Sequence, residues 1–122
     1  MPWSAIGASG LGLAVMLGAF GAHVLRAKLD PYLMGIYDRA VFYHFIHALG
    51  LLVVPVLARL NALSQSAAAL VCALLVAGIV LFSGSLYLLA VTGARWLGAI
   101  TPLGGLCFIA AWLVLAVALA RA

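Results

Sequence analysis

The sequence predicts an all-α membrane protein, folded as an antiparallel bundle of four transmembrane helices. Of the 122 residues, 69% are apolar and 7% are charged, whereas a soluble domain carries about 25% charged and about 45–50% apolar residues. The apolar residues form four runs separated by short polar segments, and each run approaches the roughly 20 residues that cross a bilayer. Residues 1–122 are therefore predicted to form a single integral membrane domain.

The first helix is predicted over residues 3–25. No basic residue precedes its apolar run, as one would in a signal peptide, so we expect this helix to be retained. Small residues recur in it every four positions, and they predict a smooth face on which a second helix packs closely. These helix-packing residues are Gly10, Ala14, Gly18 and Ala22.

The second helix has a start signal that precedes its apolar run. Asp30-Pro31 is typical of an N-cap followed by Pro at the first helical position, so the helix is predicted to extend from residue 31, with its membrane portion over 40–58. The third and fourth helices are predicted over 66–91 and 97–120. Glycines within these two helices are predicted to allow close packing, namely Gly84, Gly104 and Gly105.

Charge at the helix ends predicts the orientation. The eight charged residues are five Arg, one Lys and two Asp, with no Glu. The first and third loops together carry Arg26, Lys28, Arg39 and Arg95, against Arg59 and Arg121 on the opposite side. Because Lys and Arg favour cytoplasmic loops, both termini are predicted to lie outside. The basic residues form no clustered face, which excludes nucleic acid as a partner.

Polar residues inside the apolar runs are the candidate functional residues, since burial in hydrocarbon is costly unless they face other helices. In an antiparallel hairpin of the first two helices, His23 and His44 are expected at similar depth, with His47 one turn deeper. Three imidazoles could bind a metal or haem iron, or each could simply hydrogen-bond to a neighbour. The predicted polar interior comprises His23, Tyr43, His44, His47, Ser83, Ser85, Tyr87 and Thr101.

Catalysis is not predicted. Ser83 would need a nearby base to act as a nucleophile, and its own helical hairpin contains no His or acid. No carboxylate other than Asp38 lies near the histidines to support a metal, so neither a metal nor a cofactor is predicted. His23 and His47 stay as candidates for cofactor binding. The broken start of the fourth helix leaves solute transport as a weaker alternative.

Four segments, taken together, resemble the domain-of-unknown-function family 423, which includes small bacterial inner-membrane proteins and is similar to the eukaryotic transmembrane protein 256. The segments are GAFGAH at 18–23, Tyr43 with HAL at 47–49, LFSGSLY at 81–87 and TPLGG at 101–105. The resemblance implies a four-helix protein of the bacterial inner membrane and supplies no reaction. His23 and His47 fall on motif positions, whereas His44 is less typical of the pattern.

We therefore predict a non-enzymatic accessory or scaffold protein that acts through helix packing with membrane lipids, a second copy of itself or a larger membrane complex. The alternative is a protein that binds or transports haem, a metal or a small solute through His23 and His47.

Overall fold

The computed structural model describes all 122 residues, and it contains helices and no strand. Four helices are long and apolar enough to cross a membrane: Trp3–Ala27, Pro31–Arg59, Gln65–Thr92 and Arg95–Ala120. Short connections join them, so successive helices run in opposite directions. The predicted fold class is confirmed.

The first hairpin consists of α1 (Trp3–His23) and α2 (Pro31–Arg59), with a 3-10 turn at Leu25–Ala27 between them. The Asp30 carboxylate accepts a hydrogen bond from the Leu33 N–H at 2.8 Å and caps α2, with Pro31 in the first turn. This cap satisfies one of the free N–H groups that every helix start leaves. As a result, α2 is helical from Pro31 and packs on α1 well before residue 40.

The third membrane-length helix is continuous but not regular. It runs as α3 (Gln65–Gly78), a π-helical segment (Ile79–Gly84) and α4 (Ser85–Thr92). The Ser64 hydroxyl caps its start by accepting from the Ala67 N–H. Gly93 ends it with φ +72°, a left-handed conformation that favours glycine. Periodicity alone did not predict the π segment.

The fourth membrane-length helix begins with a 3-10 segment (Arg95–Ala99) and continues as α5 (Thr101–Ala120). The prediction placed a single helix over 97–120. Regular α-helix starts only at Thr101, with Pro102 in its first turn, where the missing N–H leaves no hydrogen bond unmade.

The second helix lies at the centre of the bundle. It packs against α1 on one side and against the third helix on the other, while α5 packs mainly on α3 and the π segment. One buried cluster includes Leu51, Val71 and Phe108, and a second cluster towards the charged end includes Tyr37 and Leu86. Tyr43 packs against the first cluster and Tyr87 against the second.

Candidate functional site

A histidine–tyrosine pair lies in the centre of the bundle. His44 Nδ1 is 2.8 Å from the Tyr87 hydroxyl, which joins α2 to α4. His44 is 3% exposed. The Tyr87 ring also packs edge-on against Tyr37, with centroids 5.3 Å apart. The Tyr37 hydroxyl donates to the Leu17 carbonyl, so the chain of contacts continues into α1.

This pair lines a groove between α1 and the third helix. The groove has a volume of about 340 Å³, and apart from His44 and Tyr87 its lining is apolar or glycine. Leu13 and Val80 line its edges and are 47% and 62% exposed, so the groove opens on the surface that faces lipid. Its volume falls at the lower end of the range of small-molecule sites, which is about 300–1,000 Å³.

His47 lies on another face of α2 and contacts different partners. Its Nδ1 donates to the Tyr43 carbonyl at 2.7 Å, which fixes the ring. The imidazole stacks on Phe108 of α5, with centroids 3.5 Å apart and planes 10° apart. Tyr43 stacks against the same phenyl ring at 6.3 Å. These rings connect α2 to α5, and the structure gives His47 a packing role.

The predicted hydroxyl residues bond across helices and along them. Ser83 is 1% exposed and donates to the Ala40 carbonyl of α2 at 2.8 Å. The Ser85 hydroxyl donates to the Phe82 carbonyl at 3.0 Å and lies 2.6 Å from the Thr101 hydroxyl. The Thr101 hydroxyl also reaches the Leu97 carbonyl at 3.4 Å, so either hydroxyl can donate in the contact between Ser85 and Thr101. The third and fourth helices are thereby connected by a short polar chain.

Ser83 and Ser85 lie at the end of the π segment and directly after it. A π turn shifts the register of a helix by one residue and often marks a functional position. Gly84 is the last residue of the segment. A Cβ at Gly104 would lie 2.7 Å from the Phe82 Cβ, so glycine is needed for α5 to approach the segment. Gly105 has room, because its nearest neighbour is 3.9 Å away.

His23 does not join the other histidines, and its predicted place in the interior is wrong in this structure. It is exposed at the end of α1. His44 Nε2 instead lies 4.0 Å from the Cβ position of Gly10. His23 follows Gly10 by thirteen residues, which is about 20 Å along a helix. The expected register failed because α2 starts packing at Pro31 rather than at residue 40. A haem or metal site on His23 and His47 is therefore not supported.

No three His, Cys, Asp or Glu side chains of the chain converge as metal ligands would. Both cysteines are free thiols: Cys72 is buried and Cys107 is partly buried.

The small-residue face of α1 contacts α2, although with a different period from the predicted one. Ala14 is fully buried, and Cβ positions at Gly10 and Gly18 lie 3.2 Å from Ala48 and 3.5 Å from Val41. Ala22 is exposed. A step of four residues drifts by about 40° around a helix, so after three steps the fourth member has left the contact.

The tightest contacts recur every seven residues, and they include the predicted residue Ala14 together with Gly7 and Gly21, which were not predicted. Gly7, Ala14 and Gly21 are the buried residues of α1. A Cβ at Gly7 would lie 2.8 Å from the Leu51 carbonyl carbon, and one at Gly21 would lie 2.5 Å from Cε1 of the Tyr37 ring. A seven-residue period is typical of helix pairs that supercoil with a left hand. The spacing of Gly7, Ala14 and Gly21 in the sequence shows this period.

Comparisons with known proteins agree with this architecture. The model of a family described as "Protein of unknown function (DUF423)" matches residues 17–105. A UPF0382 membrane protein of Staphylococcus epidermidis is 48% identical over 93% of this chain and 90% of the relative. The UPF0382 membrane protein YwdK of Bacillus subtilis is 50% identical over 93% of this chain and 91% of that protein. No solved structure matches the chain.

Proposed function

The chain belongs to the DUF423 family, and from that premise we propose that this integral membrane protein is a non-enzymatic binding protein for a lipid-soluble molecule. The ligand occupies the groove between α1 and the third helix. The observation that carries the proposal is the His44–Tyr87 hydrogen bond inside a groove that is otherwise apolar and open to lipid.

The chemistry of the pair specifies the head of the ligand. When the Tyr87 hydroxyl donates to His44 Nδ1, its oxygen keeps lone pairs that accept a further hydrogen bond. With the other tautomer, the phenol proton is free to donate. A hydroxyl or a protonated carboxyl suits both cases, because each can donate and accept. A single apolar tail matches the remaining lining of the groove, and burial of that tail needs no further polar contact.

Several features support binding rather than catalysis. Both carboxylates lie at the charged end of the bundle, where Asp38 pairs with Arg26 and Asp30 caps α2. The groove therefore contains no acid that could work with His44, and the imidazole bonds to a phenol instead.

Photocrosslinking tests the proposal. A long-chain alcohol that carries a diazirine should label the purified protein on α1 and on the π segment. Gly84 lines the groove, and a Cβ there meets only the Ile79 carbonyl at 3.9 Å. Gly84→Leu should therefore block the groove without a clash and abolish labelling, and Tyr87→Phe should weaken it.

The matched control is Gly12→Leu, because Gly12 lies on the outer face of α1 with no atom within 4 Å of its Cβ position. Labelling that is as strong in Gly84→Leu as in the parent protein would overturn the proposal.

A second function, that of an accessory protein acting through helix association, is supported by the outer face of α1. One line of exposed positions on it, beside the exposed Leu13, Met16 and Phe20, carries mostly small side chains with a near-heptad period: Ala5, Ala8, Gly12, Val15, Ala19 and Ala22. The lipid-facing side of α5 instead carries large residues such as Leu103, Leu106 and Ile109. Small residues let helix backbones approach closely in membranes. The predicted packing residue Ala22 lies on this outer face.

Energy transfer between labelled copies in vesicles tests self-association. Gly12→Leu should reduce the transfer, whereas Ala116→Leu on the exposed side of α5 should leave it unchanged. Equal transfer in the parent and in Gly12→Leu would exclude self-association through this face. Pull-down from membranes of the native host with the same pair of variants tests a different partner in the same way.

We also propose that the protein resides in the bacterial inner membrane with both termini outside. The support is the excess of Lys and Arg at the end that contains the first and third loops. Alkaline phosphatase, which is active only outside the cytoplasm, should be active when fused after Ala122 and inactive when inserted at Ala94. The opposite pattern would reverse the orientation.

A further inference from the structure

The charged end of the bundle contains two arginines without an acidic partner. Its cations are Arg26, Lys28, Arg39 and Arg95, and its only carboxylates are Asp30 and Asp38. Asp38 forms the one ion pair of the chain, with Arg26 at 3.3 Å. Asp30 accepts from the Leu33 N–H at 2.8 Å. Neither Arg39 nor Arg95 is therefore neutralised within the chain.

Each of these arginines lines one of two cavities that share Tyr32. One, of about 350 Å³, is lined by Tyr32, Arg39 and Thr101, and the other, of about 250 Å³, by Asp30, Tyr32 and Arg95. Tyr32 and Leu89 line both cavities. The Arg95 guanidinium lies 5.9 Å from the centre of the Tyr32 ring, within the range of a cation–π contact.

The inner wall of the larger cavity is apolar. Ile36, Leu86 and Leu89 line it, and all three are buried members of the core cluster at this end. The two cavities together carry two guanidiniums, Arg39 and Arg95, against one carboxylate, Asp30, which already accepts from the Leu33 N–H. This net positive charge and the apolar wall match a molecule that has an anionic head and a hydrocarbon tail. A free phosphate would gain nothing from the apolar wall.

We infer that the two cavities together form a cleft that binds an anionic phospholipid. The start of α2, α4 and the 3-10 segment Arg95–Ala99 form this cleft. The phosphodiester lies between the Arg39 and Arg95 guanidiniums, and an acyl chain follows the wall of Ile36, Leu86 and Leu89. Guanidinium groups bind phosphate oxygens through paired hydrogen bonds that the ammonium of Lys cannot reproduce. The cleft is separate from the groove that contains His44 and Tyr87, so the two proposals stand or fall independently.

Native mass spectrometry tests the inference. The protein is released from nanodiscs that contain equal amounts of phosphatidylglycerol and phosphatidylcholine, and the retained lipids are counted. The parent should retain phosphatidylglycerol selectively. Arg39→Gln and Arg95→Gln should each weaken that retention about tenfold, the lower end of the effect expected for losing a hydrogen bond to a charged group.

The matched control is Lys28→Gln, which removes one positive charge from the same end but lies outside both cavities. It should retain phosphatidylglycerol as the parent does. An equal loss in Lys28→Gln would show that general charge attracts the lipid, and equal retention of the two lipids by the parent would also overturn the inference. Inorganic phosphate at millimolar concentration should not displace the lipid, and displacement would show that the cleft binds a free anion. Circular dichroism confirms that each variant is folded.

Discussion

The imidazole of His47 lies flat on the phenyl ring of Phe108, with ring centroids 3.5 Å apart. Phe108 also fills the space above Gly78 of α3, where a Cβ would overlap its ring. One aromatic side chain of α5 thus contacts both α2 and α3. In lipid the helices gain no hydrophobic free energy from contact, so such packing contributes much of the stability of the bundle.

Phe108→Ala should therefore destabilise the protein substantially. We expect a loss of about 3 kcal/mol, the low end for Phe→Ala in a soluble core, because no transfer from water is involved. Unfolding by SDS in bicelles measures it. The control is Leu106→Ala on the lipid-facing side of α5, where Leu106 is 63% exposed. Equal losses in the two variants would show that Phe108 does not hold α5 in place.

Two adjacent glycines of α5 should respond differently to the same substitution. A Cβ at Gly104 would lie 2.8 Å from the Leu81 carbonyl carbon, whereas one at Gly105 has no neighbour closer than 3.9 Å. Gly104→Ala should cost about 2 kcal/mol, because overpacking forces the backbone apart, and Gly105→Ala should be neutral or slightly stabilising. Thermal melting in detergent distinguishes them. A tolerated Gly104→Ala would contradict the close approach of α5 to the π segment.

The hydroxyls of Ser85 and Thr101 should be energetically coupled. They lie 2.6 Å apart across the third and fourth helices. Hydrogen bonds between transmembrane helices contribute on average about 0.6 kcal/mol in double-mutant cycles. The cycle of Ser85→Ala and Thr101→Val should return a coupling energy of about that size. Additive losses would show that the contact contributes nothing to stability. The reference cycle combines Ser64→Ala with Thr101→Val, two distant sites whose effects should be additive.

Composition was enough to predict the fold class, because eight charges cannot solvate the surface of a soluble protein. The sequence also predicts the start of α2 at Pro31, because the capping role of Asp30 depends only on the residues that follow it in the chain. Depth could not be predicted in this way. Equal depth for His23 and His44 requires the two helices to begin pairing near residue 40, whereas the short turn at Leu25–Ala27 lets α2 pack on α1 from its start, with Gly21 against Tyr37 and Gly7 against Leu51.

The residues of the candidate site could be predicted from the sequence, but their pairing could not. His44, Ser83, Ser85 and Tyr87 were singled out because polar groups in an apolar run need partners, and each has one. Their pairing depends on the π segment, which rotates the residues that follow it relative to a regular helix. No local composition distinguishes Ile79–Gly84 from ordinary helix, so the groove emerges only from the packed structure.

Replacing glycine by alanine should have opposite effects on stability on the two sides of α1. Gly7 faces α2, and a Cβ there would lie 2.9 Å from the Ala48 carbonyl oxygen and 2.8 Å from the Leu51 carbonyl carbon. Gly7→Ala should therefore push α1 away and cost about 2 kcal/mol. Gly12 has open space around it, so Gly12→Ala should stabilise the helix by about 0.5 kcal/mol through its lower conformational entropy when unfolded. SDS unfolding of both variants, followed by helical circular dichroism, measures the difference, and a Gly7→Ala variant as stable as Gly12→Ala would place α1 in a different register on α2.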